Sequence, residues 1–308
     1  MMIIPFGFFK QPVSGVSPLY DNISVVYSLR RLDMTTLWTN ACLKIRRDSD
    51  NATAFVFFDG SSVDDTITLS SLISTTSDTT PDATTLTTWV GANGAFVERW
   101  YGITDDNTIS TGKRAIQTTT GNQPKFITTG VIITKNSLPE IDFLSSTRYL
   151  DASTNTDLDN GNDFSIFTVS YQDEGTTSTN FTVLVTSLAT SNRILLFCDR
   201  RTNKKSFRII TPGTNGEFDL SAQLDSSDQR LLTLITSSSS GTSYLNGASQ
   251  TTDSWTNSYD NDVFRIGVSS SVGNPLWGGI QEIIIFPSDK SADRTTIESE
   301  IDTYYSIP

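Results

Sequence analysis

The chain contains no histidine, which removes the commonest general base, the commonest zinc ligand and every Ser-His or Cys-His nucleophile pair. Any catalysis must run on carboxylates. The densest set of oxygen donors, Asp157, Asp159, Asn160 and Asp163 around Gly161, has the chemistry that calcium takes. Its glycine stands one position early for a helix-loop-helix calcium site, and Thr168 occupies the place of the bidentate glutamate. Asp, Asn and Gly are also what a turn requires, and a solvated turn is the stronger reading. Calcium is the one ion this set would take, and no cofactor is otherwise called for.

Aromatic faces flanked by polar loops suit amphipathic ligands such as sugars. Trp255 and Tyr259, in the polar stretch 253–262, form the best pair, with Trp277 and Trp38 as further candidates. Packing in a core or at a rim is the stronger reading for each one taken alone. The adjacent arginines Arg30-Arg31 and Arg46-Arg47 fit an acidic glycan, whereas Asp48, Asp50 and the acidity of the whole chain favour internal ion pairs.

Strands must position these residues. Charged residues make up 18% of the 308 and hydrophobic ones 36%, the balance being filled by Ser and Thr, whose low helix preference points to an all-β chain with many polar turns. Strands are expected at 41–46, 54–58 and 95–101. Ten more follow, at 132–134, 140–143, 164–171, 181–186, 194–198, 207–210, 231–236, 243–245, 263–268 and 280–286. Strands at that spacing form a sandwich or barrel. Asn246-Gly247 is a hairpin turn of the kind that needs positive φ at both residues. Helical spacing of Ile23, Val26, Tyr27 and Leu32 after Asp21 predicts a helix near the N-terminus, and a short one is expected between Pro81 and Val90, ended by Gly91. Ile283 to Phe286 are apolar on both parities, which describes a strand covered on both faces. Its cover is a terminal helix capped by Ser291, with Ile297, Ile301, Tyr304 and Tyr305 on one stripe.

A net charge of −12 repels phosphate backbones, so nucleic acid is not an expected partner. Cys42 and Cys198 read as two buried free thiols made in a reducing cytoplasm. Residues 1–20 contain Pro5, Gly7, Pro12, Gly15 and Pro18 with Phe6, Phe8 and Phe9, too broken for a long helix and too apolar for a free linker. No basic region or 18-residue apolar run marks a signal peptide or membrane span, so no membrane insertion is expected. An extended peptide that docks on a protein surface by its aromatic residues is expected, with packing back on its own domain as the equal alternative.

The segment 164–286, with Tyr244-Leu245-Asn246-Gly247, Phe264-Arg265-Ile266-Gly267 and Gly279 to Phe286, resembles laminin-G-like domains of the concanavalin A-like lectin superfamily. The earlier part, with Tyr27 to Leu32, Arg46 to Asn51 and Trp100-Tyr101, is similar to the start of the catalytic domain of family-54 α-L-arabinofuranosidases and to bacteriophage virion proteins with the same opening. Together these imply one concanavalin A-like jelly-roll β-sandwich over 21–308, arabinofuranosidase-like over 21–138 and laminin-G-like over 139–308, with short helices near the N-terminus and at the C-terminus. The enzymes' Asp-Gln-Ser-Gly-Asn-Gly run is replaced by Gly102 to Asn107. Their nucleophile region corresponds to 197–202, where Asp199 stands beside Arg200-Arg201, and their acid region to 267–271, which has no carboxylate. A hydrolytic pair would need Asp199 and another acid such as Asp225 to converge, so no catalytic residue is assigned. The opening Ile4, Pro5, Phe6, Gly7, Phe8 and Phe9 is similar to the N-termini of virion proteins carrying such sandwiches, and implies attachment to a particle through those residues. The expectation is a non-enzymatic virion protein, a capsid decoration, head fibre or tail spike, made in the host cytoplasm and displayed on the virion surface as a homo-oligomer that adheres to host glycans. The alternative is a glycoside hydrolase of arabinofuranosidase type.

Overall fold

The computed structural model describes residues 19–144, 147–153, 158, 163–172, 182–187, 192–197, 205–220, 228–259, 263–269 and 275–308. In chain order the first strands are β1 (Val25–Ser28), β2 (Leu43–Arg47), β3 (Thr53–Val56), β4 (Ile73–Ser74), β5 (Ala95–Tyr101), β6 (Arg114–Ile116), β7 (Lys125–Thr128), β8 (Val131–Ile132), β9 (Thr134–Lys135), β10 (Leu138–Pro139) and β11 (Ile141–Asp142). There follow β12 (Leu150–Ser153), β13 (Ser165–Gln172), β14 (Thr182–Val185), β15 (Arg193–Phe197), β16 (Lys205–Ile210), β17 (Gly216–Asp219), β18 (Arg230–Ser237), β19 (Ser240–Leu245), β20 (Ala248–Ser254), β21 (Val263–Ile266) and β22 (Gly278–Phe286). Helix α1 (Leu86–Val90) precedes β5, and α2 (Arg294–Tyr305) follows β22. Among the described residues no helix is long and apolar enough to cross a membrane.

All nine residues of β22 are buried. On one side it pairs with β13 along its whole length; on the other it takes β1 and then β11 end to end. This accounts for the unbroken apolar run, because neither face of the strand meets water. The same reasoning corrects the helix expected after Asp21. Val25, Val26, Tyr27 and Ser28 are all buried and form β1, and four residues hidden on both faces have no periodicity to separate strand from helix. The turn at Asn246-Gly247 has φ of 47° and 78° and joins β19 to β20 with Leu245 opposite Ala248. Helix α1 begins at Thr85, whose hydroxyl accepts from the Thr88 amide, and stops at Gly91 with φ 57°. Helix α2 begins after Asp293 rather than at Ser291.

The strands close on themselves. One path runs β18–β13–β22–β11–β7–β5, the other β5–β6–β12–β21–β14–β15–β16–β17, and β5 belongs to both because β6 and β7 share one of its edges. Its other edge carries β2 and β3. The circuit is completed through β18–β19–β20, with β20 lying along β17. At that seam the Glu217 amide donates to Asp253 Oδ2 at 2.7 Å and the Thr251 hydroxyl donates to the Asp219 carbonyl at 2.6 Å. The core fills the space between the two sheets: Tyr27 of the first stacks on Phe264 of the second at 5.9 Å and meets Trp100 at 5.6 Å.

A charged cluster lies within this packing. Arg30 is fully buried, its Nε 3.1 Å from Glu282 Oε1, Nη2 2.9 Å from Glu300 Oε2 and Nη1 2.9 Å from Asp64 Oδ1, with the Tyr304 ring 4.5 Å away. Tyr20 donates to Glu300, and Ser28 donates to Glu282 at 2.7 Å. Burial alone would lower the Arg30 guanidinium, but Glu282 and Glu300 outweigh it and hold the group firmly charged. Burial lifts the Glu282 carboxyl above its ordinary value against the pull of Arg30. Four separate stretches of chain thus converge on one cation and clamp α2 over the sheet.

Candidate ligand-binding face

Alternation in a strand puts every second side chain on one face, so the register of the second sheet sorts its residues. The inner row passes through Leu150, Ile266, Leu184, Leu196, Phe207 and Phe218, all buried. Turned the other way is a row of different character, in which Lys44 pairs with Arg99, Arg99 with Ile116, Ile116 with Asp151, and Asp151 with Arg265. Beyond β14 it continues through Leu195 to Arg208 and Glu217. This outward face concentrates cations in a chain whose net charge is −12.

Two clusters stand out on it. Phe96 is half-buried and has three cations over its ring, Arg46 at 5.1 Å, Lys125 at 5.8 Å and Arg148 at 5.9 Å. Farther along β5, Arg99 and Arg114 lie over Tyr101 at 5.5 and 5.6 Å. Tyr101 donates to Asp78 Oδ2 at 3.1 Å and accepts from Arg99 Nη1 at 3.2 Å. Burial, opposed by Arg99, pushes its hydroxyl up to about 12. The anions of the face are already engaged: Glu98 with Lys44 at 2.6 Å, Asp142 with Arg148 at 3.1 Å, Asp151 with Arg265 at 2.9 Å and Glu217 with Arg208 at 2.6 Å. Arg46 instead meets neutral oxygens, Gln123 Oε1 at 2.7 Å and Asn51 Oδ1 at 2.9 Å. Among the described residues Arg99, Arg114 and Lys125 form no ion pair, and the Nε atoms of Arg99 and Arg114 have no hydrogen-bond partner.

The residues expected to bind ligand fare otherwise. Trp255 and Tyr259 do not present faces to solvent: they are 3% and 5% exposed, Trp255 lying against Gly216 and Tyr259 edge-on to Phe164 at 6.5 Å. This corrects the reading of that pair as a sugar platform, since a buried ring cannot stack on a ligand. Trp38 is wholly enclosed, and Trp277 is half-buried against the core. Asp163 accepts from the Ser238 amide at 2.6 Å, the work of a turn residue, while Asp157, Asp159 and Asn160 lie outside the described residues. So do Asp199, Asp225, Cys198 and the N-terminal Ile4, Pro5, Phe6, Phe8 and Phe9. Among the described residues no group of three or more acids and cysteines is placed to hold a metal ion. Cys42 is a buried free thiol. A groove of about 550 Å³ runs along the polar side of α2, lined by Asp64, Ser299, Glu300 and Tyr304 among others, but its carboxylates already belong to Arg30.

No family model matches the sequence, and no curated protein matches it. Solved structures do. A GH54 α-L-arabinofuranosidase variant soaked with 4-nitrophenyl α-L-arabinofuranoside is similar over 92% of this chain, with a TM-score of 0.59 and 11% identity. An arabinofuranosidase complexed with arabinofuranosyl-α-1,2-xylobiose is similar over the same 92%, with a TM-score of 0.57 and 11% identity. The chain spans 63% of the length of each of these enzymes. Domain 4 of a GH43 extracellular arabinanase from Geobacillus stearothermophilus is similar over 54% of this chain and 79% of its own, with a TM-score of 0.45 and 14% identity. The arabinofuranosidase likeness shows the β-sandwich fold, shared with carbohydrate-active enzymes and extending over nearly the whole chain.

Proposed function

We propose that this protein is a non-enzymatic bacteriophage virion component, a capsid decoration, head fibre or tail spike, that docks on the particle through residues 1–20 and turns a glycan-adhesive sheet face outward. The observation that carries the adhesive part is the segregation of charge. Arg46, Lys125, Arg99 and Arg114, around Phe96 and Tyr101, have no acid paired to them among the described residues, whereas the carboxylates of the same face are held in ion pairs, Asp142 with Arg148 beside Phe96 among them. Two-carboxylate hydrolysis needs one acid free to protonate the leaving group and another free to attack or to activate water, and ion-paired acids suit neither task. The docking part is supported by the aromatic N-terminal sequence. Many copies on one particle would turn weak single contacts into firm attachment, since linked sites multiply affinity without new contacts.

Quantitative mass spectrometry of purified particles tests the docking. The full-length chain is expected in many copies, and a chain lacking residues 1–20 is expected to be lost; a protein found only free in the lysate overturns it. The second reading, an arabinofuranosidase-type hydrolase, is favoured by the GH54 likeness over 92% of the chain. It predicts release of 4-nitrophenol from 4-nitrophenyl α-L-arabinofuranoside, which the adhesive reading expects to be absent.

A further inference from the structure

The outward face of β2, β5, β6 and β7 is built for more than sugar hydroxyls. Phe96 pairs with Arg46 of β2 and with Lys125 of β7, and Tyr101 pairs with Arg114 of β6, so both cation clusters are anchored by backbone ladders on rigid strands. Rings that carry guanidiniums at 5 to 6 Å hold those groups in place without neutralising them. Between Phe96 and Tyr101 the strand rises roughly 3.4 Å per residue, which sets the clusters on the order of 15 Å apart. A single small anion cannot span that distance.

We propose that this face binds an acidic polysaccharide whose carboxylate or sulfate groups engage Lys125 at one end and Arg99 and Arg114 at the other. The proposal rests on the glycan-adhesive reading above and names the chemical class of its ligand. Guanidinium pairs with carboxylate or sulfate through two parallel hydrogen bonds, and no acid among the described residues already occupies the guanidiniums of Arg99 and Arg114, whose Nε atoms are themselves enclosed. Charge complementarity is local. The remainder of the chain is strongly acidic and opposes long, densely charged polyphosphates, while a polysaccharide of lower charge density can meet the basic face alone.

The test uses the full chain and biolayer interferometry against immobilised alginate, dextran sulfate, neutral arabinan and single-stranded DNA at several salt concentrations. Alginate and dextran sulfate are expected to bind, with affinity falling as salt rises. The double variant Arg114→Gln/Lys125→Gln is expected to weaken that binding at least tenfold and to flatten its salt dependence, while Lys290→Gln, beside α2, leaves both unchanged. Thermal unfolding of each variant separates lost binding from lost fold. Preference for alginate over dextran sulfate assigns the carboxylate, and the reverse assigns the sulfate. Equal, salt-insensitive binding to arabinan overturns the acidic-ligand inference and leaves the adhesive reading standing. Binding to none of the polysaccharides overturns both. DNA bound as tightly as alginate overturns the assignment to a polysaccharide.

Discussion

Arg30 and Arg114 are the same side chain in opposite circumstances. Arg30 is fully enclosed and touches three carboxylates and two tyrosine rings; Arg114 is half-exposed and rests on one ring, with no acid among the described residues paired to it. Around Arg30 the chain supplies more negative charge than the cation carries, because an enclosed charge without partners costs several kcal/mol. Arg114, uncompensated, stays within reach of solvent, where the cost of waiting for a partner is small. The contrast separates an enclosed, fully partnered arginine from one left without an acid, a distinction that residue type alone does not make.

The comparison breaks most visibly at Arg30. Arg30→Met leaves Glu282 buried without its cation, and urea unfolding is expected to show a loss of about 3–5 kcal/mol; a loss below about 1 kcal/mol would mean the cluster is incidental. Glu300→Gln is milder, because Glu300 is partly exposed and Glu282 remains with Arg30, so about 1–2 kcal/mol is expected by the same measurement. The pH dependence sharpens the point. Burial raises the carboxyl of Glu298 above its usual 4.5, with Arg294 opposing, and Glu282 is shifted the same way. The folded state therefore holds these protons more tightly than the unfolded state. Their contribution is complete below pH 4.5 and is lost as pH rises through the raised values. Melting temperatures of Glu298→Gln across that window should decline less with rising pH than those of the wild type. Smallest of all, Arg114→Gln should change stability by no more than about 0.5 kcal/mol, despite its expected effect on binding.

Much of the sheet is legible in the amino-acid sequence. The strand expected at 95–101 matches β5 residue for residue, and the both-parity apolar run at Ile283 to Phe286 correctly requires cover on two sides. Failures arise where burial on both faces erases the pattern, as at β1, or where a polar neighbourhood conceals a core ring, as at Trp255. The adjacent arginines show the limits of local reading. Arg30, Arg31 and Arg47 do form ion pairs, with Arg47 2.6 Å from Asp50, but Arg46, beside Arg47 in sequence, points to the opposite face and meets no acid among the described residues. The basic face is invisible to local spacing because Arg46, Arg99, Arg114 and Lys125 come from four strands, and only register brings them side by side.

The seam between β17 and β20 sets how the ring comes apart. Neighbouring strands elsewhere in the circuit share backbone ladders; here, among the described residues, the border is stitched by Asp253 and Thr251 side chains, with a backbone bond from Thr256 to Thr214 just beyond the strand ends. Amides facing this border should exchange with deuterium well before those of β13 and β22, which are locked between neighbours on both sides. Pulled or heated, the molecule would unroll from that line into a strip of sheet, exposing β17 and β20 as fresh edges able to pair with another copy. Two weakly held strands thus decide whether a partly opened molecule reseals on itself or joins its neighbour.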